Sequence, residues 1–88
     1  MADAKLMQAI QIAENALREA DQLELVAIAN LKDAVLQFIE NAADPQGAYR
    51  ARITHTAGDL CHAAKKVDHA TCRLSELKKR QSAQEVSE

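Results

Sequence analysis

Apolar residues recur along this chain at helical spacing, in two long runs. In the second half, Ile53, Ala57, Leu60, Ala64, Val67, Thr71 and Leu74 follow one another at alternating steps of four and three. That is a heptad seam, with Ala57, Ala64 and Thr71 at a and Ile53, Leu60, Val67 and Leu74 at d. Ala63, Ala70 and Leu77 fall beside it at g. Small residues on this side let a neighbouring helix approach closely. The pattern predicts a helix over about 48–80. Gly58 is its weak point, costing about 1 kcal/mol relative to Ala and marking a place for a kink beside Asp59.

The first half begins in the same way, with Leu6, Ile10, Ala13, Leu17 and Ala20. The register then slips at Asp21-Gln22-Leu23-Glu24 and resumes as Ile28, Leu31, Val35, Phe38 and Ala42. A second apolar row, Leu25, Ala29, Leu36, Ile39 and Ala43, runs alongside. The tetrapeptide at the slip has the form of a capping box, Asp with Glu three residues on. Two arrangements fit: one helix over about 4–43 with a stutter, or two helices broken near Asp21. Between the halves stands Asp44-Pro45-Gln46-Gly47, which suits a type I turn. It suits equally an N-cap Asp44 with Pro45 at the first helical position. Either way the chain reverses. The polar tail over 81–88 is expected to fray.

Composition removes the other fold classes. The chain is 48% hydrophobic but only 2% aromatic, with Phe38 and Tyr49 and no Trp. Two Gly and one Pro are too few for the many turns of an all-β fold. No strand–turn–helix alternation supports an α/β fold. Charged residues make up 27% at a net charge of −2, beside strong periodicity, which argues against disorder. The expected class is all-α, a single helical domain over 1–80 built as an antiparallel hairpin.

The bulky apolar residues are unevenly shared: fourteen lie in 5–44 and six in 45–80. One narrow, alanine-rich seam cannot cover the wide face around 25–39. A two-helix hairpin also buries little, and exposed apolar patches mark interfaces. The sequence therefore predicts a homodimer, two hairpins forming a four-helix bundle. Its core and dimer interface would use Leu25, Ile28, Leu31, Val35, Leu36, Phe38, Ile39, Leu60, Val67 and Leu74. The alternative is a monomeric three-helix bundle with helices near 4–20, 22–43 and 48–80.

Charge divides the chain. Residues 1–44 carry three Lys or Arg against eight Asp or Glu; residues 45–88 carry eight against five. Pairing of an acidic helix with a basic one would favour the hairpin. His55, His62 and His69 recur every seven residues at f, beside Arg52, Asp59, Lys66, Arg73 and Arg80 at c. The face made by Arg52, His55, His62, Lys66, His69, Arg73 and Arg80 suits an acidic protein surface or a phosphate backbone. The plain alternative is that solvent-facing positions are polar. Binding through the histidines should strengthen as pH falls through their range. Lys78, Lys79 and Arg80 read as cations complementing a helix C-terminus.

Metal and redox chemistry have thin support. Only His69 and Cys72 share a ligand spacing on one helix, and a tetrahedral site would need a second copy of the pair across a dimer axis. Cys61 and Cys72 are expected to be partly buried as small apolar residues. Eleven residues of one helix separate them by about 16 Å, beyond disulfide reach. Free thiols, with no secretory-type apolar core in 1–5, point to the cytoplasm. The apolar stretch over 25–31 is too short to cross a membrane.

No Gly-rich phosphate loop, nucleophile elbow or oxyanion hole can be read. No catalytic site, cofactor or small-molecule substrate is expected. The function expected is a non-enzymatic homodimer that binds a larger protein partner as adaptor, regulator or inhibitor, of bacterial or phage type. The alternative is an RNA-binding regulator using the cationic face, and a third reading is a metal-sensing dimer. In outline alone, a long helix, a tight turn and a second long helix, the chain resembles small plasmid RNA-binding hairpin proteins, a likeness of architecture with no motif behind it.

Overall fold

A computed structural model describes residues 4–41, 43 and 46–87, apart from the side chains of 85–87. Helix α1 spans Ala4–Glu40 and helix α2 spans Ala48–Ser87. They pack antiparallel into a hairpin 67 × 14 × 13 Å across its Cα atoms. The described residues contain no strand.

Helix α1 is continuous. Asp21 and Glu24 both lie inside it, so neither the break near Asp21 nor the three-helix arrangement is found. No Gly or Pro interrupts 4–40, and Ala, Leu, Glu and Gln supply high helix propensity throughout. Nor does the seam stutter. Leu6, Ile10, Ala13, Leu17, Ala20, Glu24, Ala27, Leu31, Ala34 and Phe38 turn toward α2 in an unbroken four–three rhythm, each buried or half-buried. The expected seam ran through Ile28 and Val35, but these are 44% and 37% exposed, while Ala27 and Ala34 are 7% and 1%. Small residues win the contact because they let two backbones come close, and close-packed backbone atoms add many weak attractions. An alanine stands at every seventh place of this seam, Ala13, Ala20, Ala27 and Ala34, each buried.

Helix α2 meets this surface with a different face from the one expected. The d positions hold, since Ile53, Leu60, Val67 and Leu74 are half-buried. Their partners are Thr56, Ala63, Ala70 and Leu77 at g rather than Ala57, Ala64 and Thr71 at a. Ala57 and Thr71 are exposed and Ala64 only half-buried. The helix is thus rotated by about 50° from its expected setting, half of the 100° that separates neighbouring residues. Thr56 is buried at 7% exposure. Its hydroxyl donates to the carbonyl oxygens of Arg52 at 2.8 Å and Ile53 at 3.1 Å, so it carries no unmet polar group into the seam. Gly58 lies within the helix without breaking it.

The chain reverses between Glu40, the end of α1, and Ala48, the start of α2. The Asn41 amide and side chain both donate to the Gln37 carbonyl and close the end of α1. Gly47 lies at φ +68°, a region glycine enters without strain. Its carbonyl accepts the Ala51 amide at 2.9 Å, which makes Gly47 the residue that starts α2. The first residue of α2 is therefore Ala48. Asp44 and Pro45 of the expected turn, and Ala42 of the expected seam, lie outside the described residues.

The two ends of the rod are held differently. Leu6, Ile10, Ala13 and Leu77 form the core away from the loop, with Ala9 and Leu74 packed against it. Near the loop, Arg52 bonds to Asp33 at 3.0 Å and to the Gln37 side chain, and the Arg50 guanidinium lies 5.7 Å from the Phe38 ring centroid. Helix α2 runs on through Ser87, past the expected end near Arg80. Residues 81–87 contain no Gly or Pro to stop it.

Candidate interaction site

The seam of α1 is flanked by two rows, and their polarity runs in opposite directions. One row is Met7, Gln11, Glu14, Arg18, Asp21, Leu25, Ile28, Lys32, Val35 and Ile39. Beyond Met7 it is polar away from the loop and apolar near it. Leu25, Ile28, Val35 and Ile39 are exposed, as is Leu36 beside them. The other row is Ala9, Ile12, Ala16, Glu19, Leu23, Val26, Asn30, Asp33, Gln37 and Glu40. Here the apolar half lies away from the loop, with Ile12, Leu23 and Val26 more than half exposed. Each long edge of the hairpin therefore carries one apolar half, at opposite ends.

The expected dimer set divides accordingly. Leu31, Phe38, Leu60, Val67 and Leu74 lie in the seam between α1 and α2. Leu25, Ile28, Val35, Leu36 and Ile39 face outward on the loop-proximal half of α1. That split follows from the alanine seam: where Ala27 and Ala34 turn inward, Ile28 and Val35 turn out.

The cationic set lies along the second edge. Because α2 is rotated, the row Arg52, Asp59, Lys66, Arg73 and Arg80 borders the seam, and the histidines lie one row further out. Arg52 is committed to Asp33 and Gln37. His55 Nε2 lies 3.5 Å from Asp59 on its own helix. Lys66, Arg73 and Arg80 have no ion pair or hydrogen bond among the described residues. Three shallow depressions join end to end between this row and α1. Arg80 and Leu77 face Leu6 and Ala9 in the first; Arg73 faces Ile12 and Ala16 in the second; Lys66 and His69 face Leu23 and Ala20 in the third. Ala9 and Arg73 belong to the first and second, and Ala16 to the second and third. The result is one continuous groove with a floor of alanines and, at the end away from the loop, Leu6 and Leu77; its α1 wall is apolar apart from Lys5 and Glu19, and its α2 wall is cationic. Glu19 is the acidic group on its rim.

Comparison with protein-family models, curated proteins and solved structures finds no match. The surfaces therefore carry the functional argument. Cys61 and Cys72 are exposed, not partly buried, because the rotation of α2 carries both away from α1. Cys72 lies beside His69, Lys65 and Asp68 on the outer face. Among the described residues no three His, Cys, Asp or Glu side chains are placed to hold a metal ion. Nor is any described helix long and apolar enough to cross a membrane. Lys78, Lys79 and Arg80 lie more than a turn inside α2. They are too far from its end to answer the macrodipole, which is felt within the last turn. Arg80 lines the groove; Lys78 and Lys79 face a separate hollow with Leu74 and Ser75.

Reading the sequence did not identify Ile12, Ala16 and Leu23 as part of a site. The signal was present, since Ile12, Ala16, Glu19, Leu23 and Val26 follow a four–three rhythm parallel to the seam.

Proposed function

We propose that this protein is a non-enzymatic binding module that works as a homodimer and presents its remaining edge to a larger protein. The observation that carries this reading is the outward stripe of Leu25, Ile28, Val35, Leu36 and Ile39, each 37–64% exposed. Five such side chains present apolar surface on the order of 400 Å², the scale at which a patch on a small protein marks an interaction site. The hairpin has reason to cover it with its own copy. Among the described residues, five of the eight buried hydrophobic ones are alanines, which contribute little burial.

The stripe is balanced about Lys32, with Leu25 and Ile39 seven residues to either side. An antiparallel two-fold pairing centred there sets the Leu25 end of one copy against the Ile39 end of the other. Such a two-fold interface is the commonest form of self-association. The Lys32 stem can lie along the apolar surface while its ammonium stays in water. The same row turns polar at Asp21, Arg18, Glu14 and Gln11. The two hairpins would then overlap near their loops rather than along their full length.

Light scattering on the eluting protein tests the reading. The expected mass is twice the chain's 9.6 kDa. Leu36→Glu with Ile39→Glu should return it to the single-chain mass by burying charge in the interface. A wild-type protein that stays at the single-chain mass at high micromolar concentration sinks the homodimer.

A further inference from the structure

We infer that the groove along the second edge is a docking site for an acidic amphipathic helix of a protein partner. This deepens the preceding reading and rests on its claim that a protein is bound. Three observations lead to it. The floor is mostly alanine, Ala9, Ala13, Ala16 and Ala20 on α1 and Ala70 on α2, with Leu6 and Leu77 at the end away from the loop. Small side chains on a floor let another helix backbone approach closely. Between Lys5 and Glu19 at its far end and rim, the α1 wall presents exposed apolar side chains, with Ile12 at 62% and Leu23 at 53%. The α2 wall carries Lys66, Arg73 and Arg80 at seven-residue intervals, without partners among the described residues.

The three cations fix the shape of the occupant. From Lys66 to Arg80 is about 21 Å at 1.5 Å per residue, or roughly four helical turns. Groups repeating every seven residues on a helix are met in register by carboxylates repeating every seven on an antiparallel or parallel neighbour. The occupant's adjoining face must be apolar to cover Ile12 and Leu23, as helix-in-groove recognition requires. A nucleic acid meets only half of these conditions. Its phosphates suit the cationic wall, but nothing on its backbone covers the apolar wall, and no aromatic side chain lines the groove to stack a base. Arg52 and Asp33 close the loop end of this edge by pairing with each other, so the docking surface lies in the half away from the loop.

The test uses the full chain and a fluorescein-labelled synthetic peptide of about eighteen residues, five turns of helix. The peptide has leucines on one face and glutamates every seven residues along its border. A twin with lysine for glutamate and a single-stranded RNA of random sequence serve as competitors, and fluorescence anisotropy is read at low and moderate salt. The acidic peptide should bind and the basic twin should not. Lys66→Glu with Arg73→Glu should weaken binding at least about tenfold, a loss of 1.4 kcal/mol. Ile12→Ser with Leu23→Ser should weaken it comparably, whereas Lys78→Glu with Lys79→Glu, outside the groove, should leave it unchanged. All these side chains are exposed, so helicity by circular dichroism should hold.

The assignment is overturned if the acidic peptide fails to bind, if the basic twin binds as well, or if the Lys78 and Lys79 variant loses as much as the groove variants. RNA that displaces the peptide and depends on Lys66 and Arg73, but not on Ile12 and Leu23, would give the groove to nucleic acid instead. Mass measured on the same samples separates this inference from the homodimer. A monomer that binds the peptide through the groove retains the docking site alone, and a dimer that ignores the peptide retains only the dimer.

Discussion

Single residues in this chain are decided by the space around their β-carbons. At Gly58 a Cβ would meet nothing within 4 Å, and the residue lies inside α2 with exposed surroundings. Helix here is maintained against glycine's preference, at a cost of about 1 kcal/mol relative to Ala. Gly58→Ala should therefore stabilise the protein by about 0.5–1 kcal/mol through reduced freedom of the unfolded chain. Urea denaturation followed by circular dichroism reads this directly; an unchanged or lower midpoint would mean that Gly58 serves some contact of the assembled protein. Gly47 behaves in the opposite way, because its φ of +68° strains any residue with a side chain, even where space is open. The sequence reading singled out Gly58 but could not tell a kink from a tolerated defect, since that depends on what lies outside the helix.

At the scale of the element, two helices and one reversal were legible from periodicity, while the phase of each helix was not. Bulk misled the reading. Ile28 and Val35 outweigh Ala27 and Ala34 in hydrophobicity, yet the alanines are inside. Periodicity reports that a face exists; which face meets which neighbour depends on how closely two backbones can approach, and that is a property of the pair. Glu24 shows the same point, since it lies half-buried in the seam and keeps the rhythm where the apolar pattern breaks. The cationic row was found by spacing, but its place beside an apolar wall needed the rotation of α2. If the alanine repeat sets the approach, then enlarging one member should force the helices apart. Ala34 is 1% exposed. Ala34→Leu should cost about 1–3 kcal/mol by overpacking, whereas Ala51→Leu, on the exposed side of α2, should stay within about 0.5 kcal/mol of wild type. Thermal melts of the two variants at one protein concentration compare them, and equal midpoints would show that the seam has slack.

For the whole molecule, the opposed polarity of the two rows flanking α1 has a geometric consequence. The apolar half of one edge ends near Leu25, and the row beyond it holds Asp21, Arg18 and Glu14. A four-helix bundle overlapped along its full length would press those charges against a second copy, removing them from water without a set partner. The proposed pairing about Lys32 avoids this by joining only the loop-proximal halves. It also leaves both grooves open, because each lies on the other edge and toward the far end of its hairpin. The two arrangements differ in length. Full overlap keeps the assembly close to the 67 Å of one hairpin, whereas overlap near the loops extends it well beyond. Small-angle scattering on the dimeric fraction measures the longest dimension. A value clearly above that of one hairpin supports the offset pairing. A dimer no longer than one hairpin would require Asp21, Arg18 and Glu14 to find partners across the interface, and charge reversal at Arg18 would then dissociate it.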